Sequence, residues 1–437
     1  MVLERTLATL GISIALTLCG CGGGAGSATP GGNAGNSASN GTGSNGNGGN
    51  NGNGNGSSGS NAQTTSQTHV LTADFLGGYA GTHTVSATQA ATVLSWAEIN
   101  PSTGNADSAA GIKTMAYIDP FRQAATDSLF STDPQTFSTN CTGVDITIPY
   151  GSSVLYLMNP SSSDLQAKMN TWQAAQLTQG HIDAFFYDDI DTLYGVPAYP
   201  CGATQNSWDS ANASFIAASN NPVVFNGYAM DSNSAQLING TNVVGGAVEG
   251  CYSTTSQPSP PYTTGTQWVT DANLELAAAT ANKLFFCYNN SAQDGSHNTA
   301  LRLYIYASFL LTYNPASSVL WDTFTTPSEL HVFPETQLVP TNPLVSAPGS
   351  VSGLKSSSGL YVREYGTCYF AGTSVGACAA VVNSDPSTSH AMPSLHGTYA
   401  HTFTVSGYGS LDGGTTSLTG PPAPSTVPAE TGLILLP

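Results

Sequence analysis

His181–Gly195 reads HIDAFFYDDIDTLYG. Ile182 to Asp188 is dominated by apolar and aromatic residues without regular polar alternation, the pattern of a strand buried on both faces. The run ends in three carboxylates, Asp188, Asp189 and Asp191. Acids at the carboxyl end of a buried parallel strand stand where α/β enzymes keep their chemistry. Only 8% of the chain is charged, so three acids within four positions carry information. Asp183 and Asp209 read as ordinary solvated acids by comparison.

Outward from this stretch, β-branched and aromatic segments alternate with helix-like ones. The candidate strands are Val70–Asp74, Lys113–Ile118, Val154–Met158, Ile182–Asp188, Val223–Asn226, Val243–Glu249, Leu284–Tyr288 and Ser318–Asp322. Between them Ser163–Leu177, Trp208–Ala218, Asp271–Ala281 and Asn298–Leu311 read as helices. Eight strands in this rhythm predict a (β/α)8 TIM barrel over residues 68–345. A doubly wound open sheet is the main rival, but it normally uses fewer strands. No Gly-rich dinucleotide fingerprint follows the first strand, and no cofactor is called for. Trp96 and Trp172 are assigned to packing on helices.

Past Pro343 the pattern changes to short strands separated by turn residues: Leu360–Glu364, Cys368–Phe370, Ala377–Val382, Thr402–Val405 and Leu433–Leu436. These predict a small C-terminal antiparallel β-domain over residues 346–437. Six cysteines follow the first two of the chain, an even number suited to an oxidising compartment. Six allow fifteen pairings by simple combinatorics. The inferred strands favour Cys141–Cys201 between loops of adjacent strands, Cys251–Cys287 after neighbouring strands, and Cys368–Cys378 across a hairpin. No pair has the spacing of a zinc site, so no metal is expected.

The amino terminus reads as an address. Arg5 precedes an apolar run, Leu7 to Leu18, too short to span a membrane comfortably. The sequence Leu18-Cys19-Gly20-Cys21-Gly22 is similar to a bacterial lipoprotein signal. Cys21, with Gly20 before it, is the lipidation candidate; Cys19 fits worse behind Leu18, and an ordinary cleaved signal peptide is the alternative. Residues 1–20 are thus read as signal and 21–67 as a Gly/Asn/Ser tether that cannot bury a core. Such a tether reaches roughly 35–40 Å root mean square. The expected location is the bacterial cell envelope, lipid-anchored and extracytoplasmic, with the folded part a monomer. Lys and Arg number 8 against 26 Asp and Glu, a net charge of −18, which argues against a nucleic-acid partner.

A second acid stands out in Val243-Val244-Gly245-Gly246-Ala247-Val248-Glu249. On a regular strand Val243, Gly245, Ala247 and Glu249 share one face, leading small residues up to one carboxylate. Around Asp188 and Glu249 the strand ends offer Asp74, Tyr79, Tyr117, Asp119, Asn226, Tyr252, Tyr288, Trp321 and Asp322 as a substrate-binding mouth. Strand parity favours Asp188 over Asp189, because Asp188 shares its face with Ile182, Ala184 and Phe186. Three other motifs lack context. Asp189-Ile190-Asp191-Thr192 has its Thr one residue early for a phosphotransferase. Gly372-Thr373-Ser374-Val375-Gly376 lies inside the Cys368–Cys378 hairpin rather than a nucleophile elbow. The eight His residues show no HExxH pattern.

Phe185-Phe186-Tyr187-Asp188-Asp189-Ile190-Asp191 and Val248-Glu249-Gly250 resemble the paired motifs of TIM-barrel glycoside hydrolases of the endo-α-1,4-polygalactosaminidase type and its uncharacterised relatives. Met115-Ala116-Tyr117-Ile118-Asp119-Pro120, Tyr156-Leu157-Met158-Asn159-Pro160 and Pro334-Glu335 extend the resemblance over most of residues 67–437. It implies a glycosidase with Asp188 as nucleophile and Glu249 as proton donor. Asp191 is a further family acid, and Asp189 is additional here. It also implies an extracellular polysaccharide or oligosaccharide as substrate, with retaining and inverting chemistry both open. The alternative is a non-catalytic glycan-binding lipoprotein on the same barrel.

Overall fold

Eight times between Leu71 and Asp322 the chain adds a parallel strand to one closed cylinder. The computed structural model describes residues 68–76, 85–190, 193, 196–229, 232–253, 262–289, 299–322, 331–407, 409–410 and 415–437. Tyr79, Asp191, Cys21 and the whole of the expected signal and tether lie outside these residues.

The barrel strands are β1 (Leu71–Leu76), β2 (Trp96–Ile99), β3 (Lys113–Ile118), β4 (Ala184–Tyr187), β5 (Val223–Asn226), β6 (Val243–Glu249), β7 (Leu284–Asn289) and β8 (Ser318–Asp322). They pair in chain order, and β8 closes on β1 with Leu71 opposite Val319. The connections carry α1 (Ala87–Ala90), α2 (Gly104–Ala110), α3 (Ser163–Leu177), α4 (Gln205–Ala217), a 3-10 turn Ser234–Asn239, α5 (Gly265–Thr280) and α6 (Thr299–Thr312). Local chemistry starts these helices. The Ser162 hydroxyl accepts from Leu165 N to cap α3, and Thr204 with Ser207 forms a capping box for α4.

Alternation sorts each strand into two faces. Ala73, Met115, Ala184, Phe186, Val224, Ala247, Phe286, Val319 and Trp321 fill the cylinder. Phe185, Tyr187, Val223, Phe225, Val248, Phe285 and Leu320 pack in the larger core outside it. This double burial is why β4 reads as an unbroken apolar run.

Two expectations are corrected. Val154–Met158 is not a barrel strand: Ser153–Leu157 is the centre of a three-stranded antiparallel sheet between Arg122–Ala124 and Thr147–Tyr150. The place in the barrel belongs to Trp96–Ile99, and Trp96 therefore sits on a strand rather than a helix. Its ring meets Phe286 edge-on at 5.7 Å inside the cylinder. At four residues β2 is too short to show a period, which hides it in the sequence. Trp172 does pack from a helix, against Phe185 at 5.6 Å.

A five-stranded antiparallel sheet follows, built from β9 (Leu338–Pro343), β10 (Tyr361–Phe370), β11 (Thr373–Asn383), β12 (His401–Thr402) and β13 (Thr431–Leu436), in the order β9-β10-β11-β13-β12. It begins at Leu338, ahead of Pro343. Helix α6 joins it to the barrel. Tyr306 Oη donates to Leu338 O at 2.7 Å, Arg363 Nη1 donates to Leu311 O at 3.0 Å, and Tyr365 Oη donates to Leu310 O. Strand β13 presses so close that a Cβ on Gly432 would stand 2.5 Å from Tyr304 Cα. All three favoured disulfides form: Cys141–Cys201, Cys251–Cys287 and Cys368–Cys378. They fit an extracytoplasmic compartment. No helix among the described residues is long and apolar enough to cross a membrane.

Pro334-Glu335 proves to be a fastening. The Glu335 carboxylate receives Arg302 of α6 through Nε at 2.8 Å and through Nη2, while the guanidinium lies over Phe333 at 4.4 Å and donates to Gly407 O at 2.7 Å. Both side chains are nearly solvent-free. Glu335→Ala would strand a buried cation, so we expect a stability loss of about 3–5 kcal/mol. Thermal unfolding reads it, and a loss under ~1 kcal/mol would contradict a structural role for the pair.

Candidate active site

The residues that end the inward faces of the strands meet at the carboxyl mouth of the barrel. Asp188 follows β4 on the parity of Ala184 and Phe186, the inward set. Tyr117 of β3 stacks on Phe186 at 6.1 Å, and its hydroxyl donates to Asp188 Oδ2 at 2.7 Å. Asn226 ends β5, where its Nδ2 donates to Asp188 Oδ1 at 2.8 Å and to Glu249 Oε2 at 3.0 Å. Asp189 N also donates to Asp188 Oδ1, at 2.9 Å.

A donor shared at 2.8 and 3.0 Å keeps the two bonded oxygens less than about 6 Å apart. Carboxyl groups this close suit the spacing of roughly 5–5.5 Å in retaining glycosidases better than the roughly 6.5–9.5 Å of inverting ones.

Glu249 reaches the mouth along a face that differs slightly from the regular one. A bulge between β5 and β6 pairs Val223 with Val243 but Val224 with Gly245. The extra residue, Val244, flips the parity before it. Val243 therefore packs outside, whereas Gly245, Ala247 and Glu249 face in. Gly245 is required by space, since a Cβ there would lie 2.9 Å from Leu284 and Phe286. Glu249 is open to solvent at the end of an otherwise buried strand. Its pKa is nonetheless pushed up to about 7, first by the protein packed around the mouth and then by the charge of Asp188; the Asn226 hydrogen bond opposes this.

Asp189 turns away from Asp188. Its backbone is left-handed, φ 50°, and its carboxylate pairs with Arg122 Nη1 at 3.1 Å. Burial and then Asp188 push its pKa up to about 6, against Arg122 and a hydrogen bond from Asp119. Asp119 Oδ1 accepts from the backbone N–H of Phe121 and Arg122, both at 2.9 Å. Burial, Asp189 and Asp188 together raise Asp119 well above the ordinary range. Asp183, read from the sequence as a solvated acid, is mostly covered and pairs with Lys113 Nζ at 2.8 Å, before β4 begins.

Tyr288 and Trp321 face inward, rings 5.1 Å apart, with Phe75 at 5.0 Å from Trp321. Trp321 is fully buried, so these rings form a floor under the carboxylates. Tyr252 is not at the mouth. It is fully buried behind β6, its N–H donating to Asp271 at 3.1 Å and its hydroxyl to Glu275 at 3.3 Å. The left-handed φ of 55° at Tyr252, after Gly250 at 76°, turns it under α5. Asp74 has the outward parity of Thr72 and Leu76 and is nearly buried, its Oδ1 accepting from Phe75 N at 2.7 Å. The backbone of Asp322 ends β8, and its side chain is not among those described.

Two residues went unnoticed in the sequence. Arg122 gives no signal beyond the scarcity of cations. Glu98 shares the inward parity of Trp96 and is fully buried; it was hidden by the unseen strand. Among the described residues no three His, Cys, Asp or Glu side chains are grouped to hold a metal ion. A cavity of about 310 Å³ lies elsewhere, between α4 and the 3-10 turn, and its one acid, Asp209, is held by Gln205 and Asn233. Gly372–Gly376 spans the β10–β11 turn and the start of β11, without a following helix.

No known family profile matches the chain, and no curated protein sequence matches it. Solved structures do. One is Ega3 of Aspergillus fumigatus in complex with galactosamine, at 12% identity, covering 60% of this chain and 92% of that one, TM-score 0.38. Another is an alpha-galactosidase from Thermus thermophilus in complex with stachyose, at 11% identity over 58% of this chain and 61% of that one, TM-score 0.40. A third is Amy13B of Eubacterium rectale, at 8% identity over 85% and 96%, TM-score 0.41. Likenesses this loose add nothing to what the strand pairing shows.

Because Asp188 is the second cause of the raised Glu249 pKa, Asp188→Asn should lower it from about 7 while burial keeps it above the ordinary carboxylate value. NMR titration of the Glu249 side-chain carboxyl carbon reads this without any substrate. An unmoved titration would remove the charge of Asp188 as a cause.

Proposed function

We propose that the protein is a retaining glycoside hydrolase on a (β/α)8 barrel, with Asp188 as nucleophile and Glu249 as acid/base. The observation that carries this reading is the Asn226 amide joined to both carboxylates, which brings them together across one mouth. In the first step Glu249 gives its proton to the glycosidic oxygen while Asp188 attacks the anomeric carbon. The C–O bond to the leaving group breaks as the bond to Asp188 forms. In the second, Glu249, now ionised, takes a proton from water as that water displaces Asp188. Tyr117 orients the Asp188 carboxylate, and Arg122 with Asp119 holds the adjacent Asp189 aside.

The short separation and the raised pKa of Glu249 favour catalysis over glycan binding alone. The substrate we infer is an extracellular polysaccharide or oligosaccharide. Net charge favours a neutral or amino-sugar polymer over a polyanion. The resemblance of the strand-end motifs to endo-α-1,4-polygalactosaminidase makes α-1,4-linked galactosamine oligomers the first to try. We place the enzyme at the envelope as a monomer tethered through a lipid on Cys21.

Glu249 must carry a proton for the first step, so kcat/KM should fall as pH rises through about 7. Glu249→Gln should slow glycosides with poor leaving groups by about 10²–10⁴-fold while sparing activated aryl glycosides. Asp188→Asn should abolish both, and the first-formed product should keep the anomeric configuration of the substrate. Full activity in Asp188→Asn, or inversion seen by proton NMR, would overturn the mechanism.

A further inference from the structure

Beyond the mouth, the segment after β3 carries a surface the proposed chemistry leaves unused. It leaves the site at Asp119 and forms its small sheet at once, pairing Arg122 with Leu157, Gln123 with Tyr156 and Ala124 with Leu155. The Arg122–Asp189 ion pair pins this inner end to the carboxylates. The hairpin then runs on past Ala124 to its tip, where Tyr150 pairs with Ser153. From Leu157, level with Arg122, four residues lead outward to Ser153, about 13 Å at the strand rise.

One side of this sheet is buried: Ile146, Ile148 and Leu157 pack with Leu193 and Trp208. Its outer end is apolar and bare, with Tyr150 45% and Val154 49% exposed. The segment after β4 meets the sheet on that buried side through Leu193. Cys201 N donates to Thr139 O at 2.9 Å, and the Cys141–Cys201 disulfide fastens the two segments. Val144 and Tyr199 stand within three residues of that bridge, each 60% exposed. Two segments leave the mouth, one past Arg122 and one past Asp189; the first carries Tyr150 at the hairpin tip and the second carries Tyr199 beside the disulfide that joins them.

That combination selects an occupant. No Lys or Arg lies in residues 123–162 or 182–204, the stretches that carry the two tyrosines, so neither supplies a cation for an anionic headgroup or a phosphate. Tyrosine offers a large rigid face at little entropic cost, and a support fixed by pairing and a disulfide is already organised. A sugar ring presents an apolar C–H face of matching kind, and a polymer cut at the mouth must leave it somewhere. We propose that this ledge binds the stretch of polysaccharide chain outside the mouth, with Tyr150 and Tyr199 as its stacking contacts. The proposal rests on the reading of the mouth as a glycan site.

The test uses the full chain carrying Tyr150→Ala and Tyr199→Ala together, compared with wild type and with Glu249→Gln. Native affinity electrophoresis through gels containing α-1,4-galactosaminan, starch or galactomannan reads binding without turnover. We expect wild type and Glu249→Gln to be retarded by one of these polymers and the double variant to bind it about tenfold more weakly. Phenylalanine at both positions should restore retardation, and hydrolysis of an aryl monoglycoside should be unchanged by the alanine pair. Equal retardation of the alanine variant, or no retardation of wild type by any of the three, overturns the ledge. Failure of wild type to hydrolyse glycosides instead sinks the proposed chemistry and leaves the binding result standing.

Discussion

Two carboxylates that share one donor in a partly dehydrated mouth repel, by about 3 kcal/mol for charges about 5 Å apart at an effective dielectric near 20. The Asn226 amide answers that repulsion by donating one N–H to Asp188 and the other to Glu249. The rest of the mouth follows from this arrangement. Tyr117 takes the free oxygen of Asp188, and Glu249 keeps a proton into the neutral range because burial first, and then the charge of Asp188, disfavour its ionisation. Neither acid would hold its place on a loop. Each ends a barrel strand whose inward face is already filled by packed side chains, so the pair inherits the rigidity of the cylinder.

The two adjacent aspartates divide by backbone conformation rather than by chemistry. Asp188 continues the inward parity of β4, whereas Asp189 bends out through a left-handed residue and is met by Arg122. Asp119, held by two backbone N–H groups and pressed by both neighbours, donates to Asp189. One cation and one shared proton thus separate Asp189 from Asp188, and four acids coexist near a mouth that a single carboxylate pair already makes unfavourable.

How legible this was depended on length and period. Strands β3, β5, β6 and β8 and helix α3 were readable to the residue, because each is a long or strongly apolar run between clear breaks. The fourth-strand acid and the sixth-strand acid were likewise readable, since parity alone points Asp188 inward. What failed was short or bent. Four residues of β2 show no period, so Trp96 and Glu98 were lost with it, and Val154–Met158 took a place it does not hold. The bulge at Val244 altered which residues share a face with Glu249, and left-handed turns at Gly250 and Tyr252 carried a plausible site tyrosine under a helix. Backbone reversals of this kind depend on tertiary packing, which alternation does not encode.

The scarcity of cations explains where the chain is most sensitive. With 8 Lys and Arg in 437 residues, each arginine described here stands at a junction between units. Arg122 ties the small sheet to the end of β4, Arg302 ties α6 to the turn before β9, and Arg363 ties β10 to the last carbonyls of α6. Two of the three are buried, and at Arg302 lysine, a point charge on a flexible stem, would not reproduce the fork that meets two carboxylate oxygens at once. Arg302 engages both oxygens of Glu335, and one nitrogen of Arg363 reaches the carbonyls of Leu311 and Tyr313. The acids are not confined to the surface, since Glu98, Asp271 and Glu275 are fully buried, while the few arginines link the barrel, the hairpin sheet and the C-terminal sheet. The carboxylate pair borders one of these junctions, because Arg122 binds the Asp189 that follows Asp188.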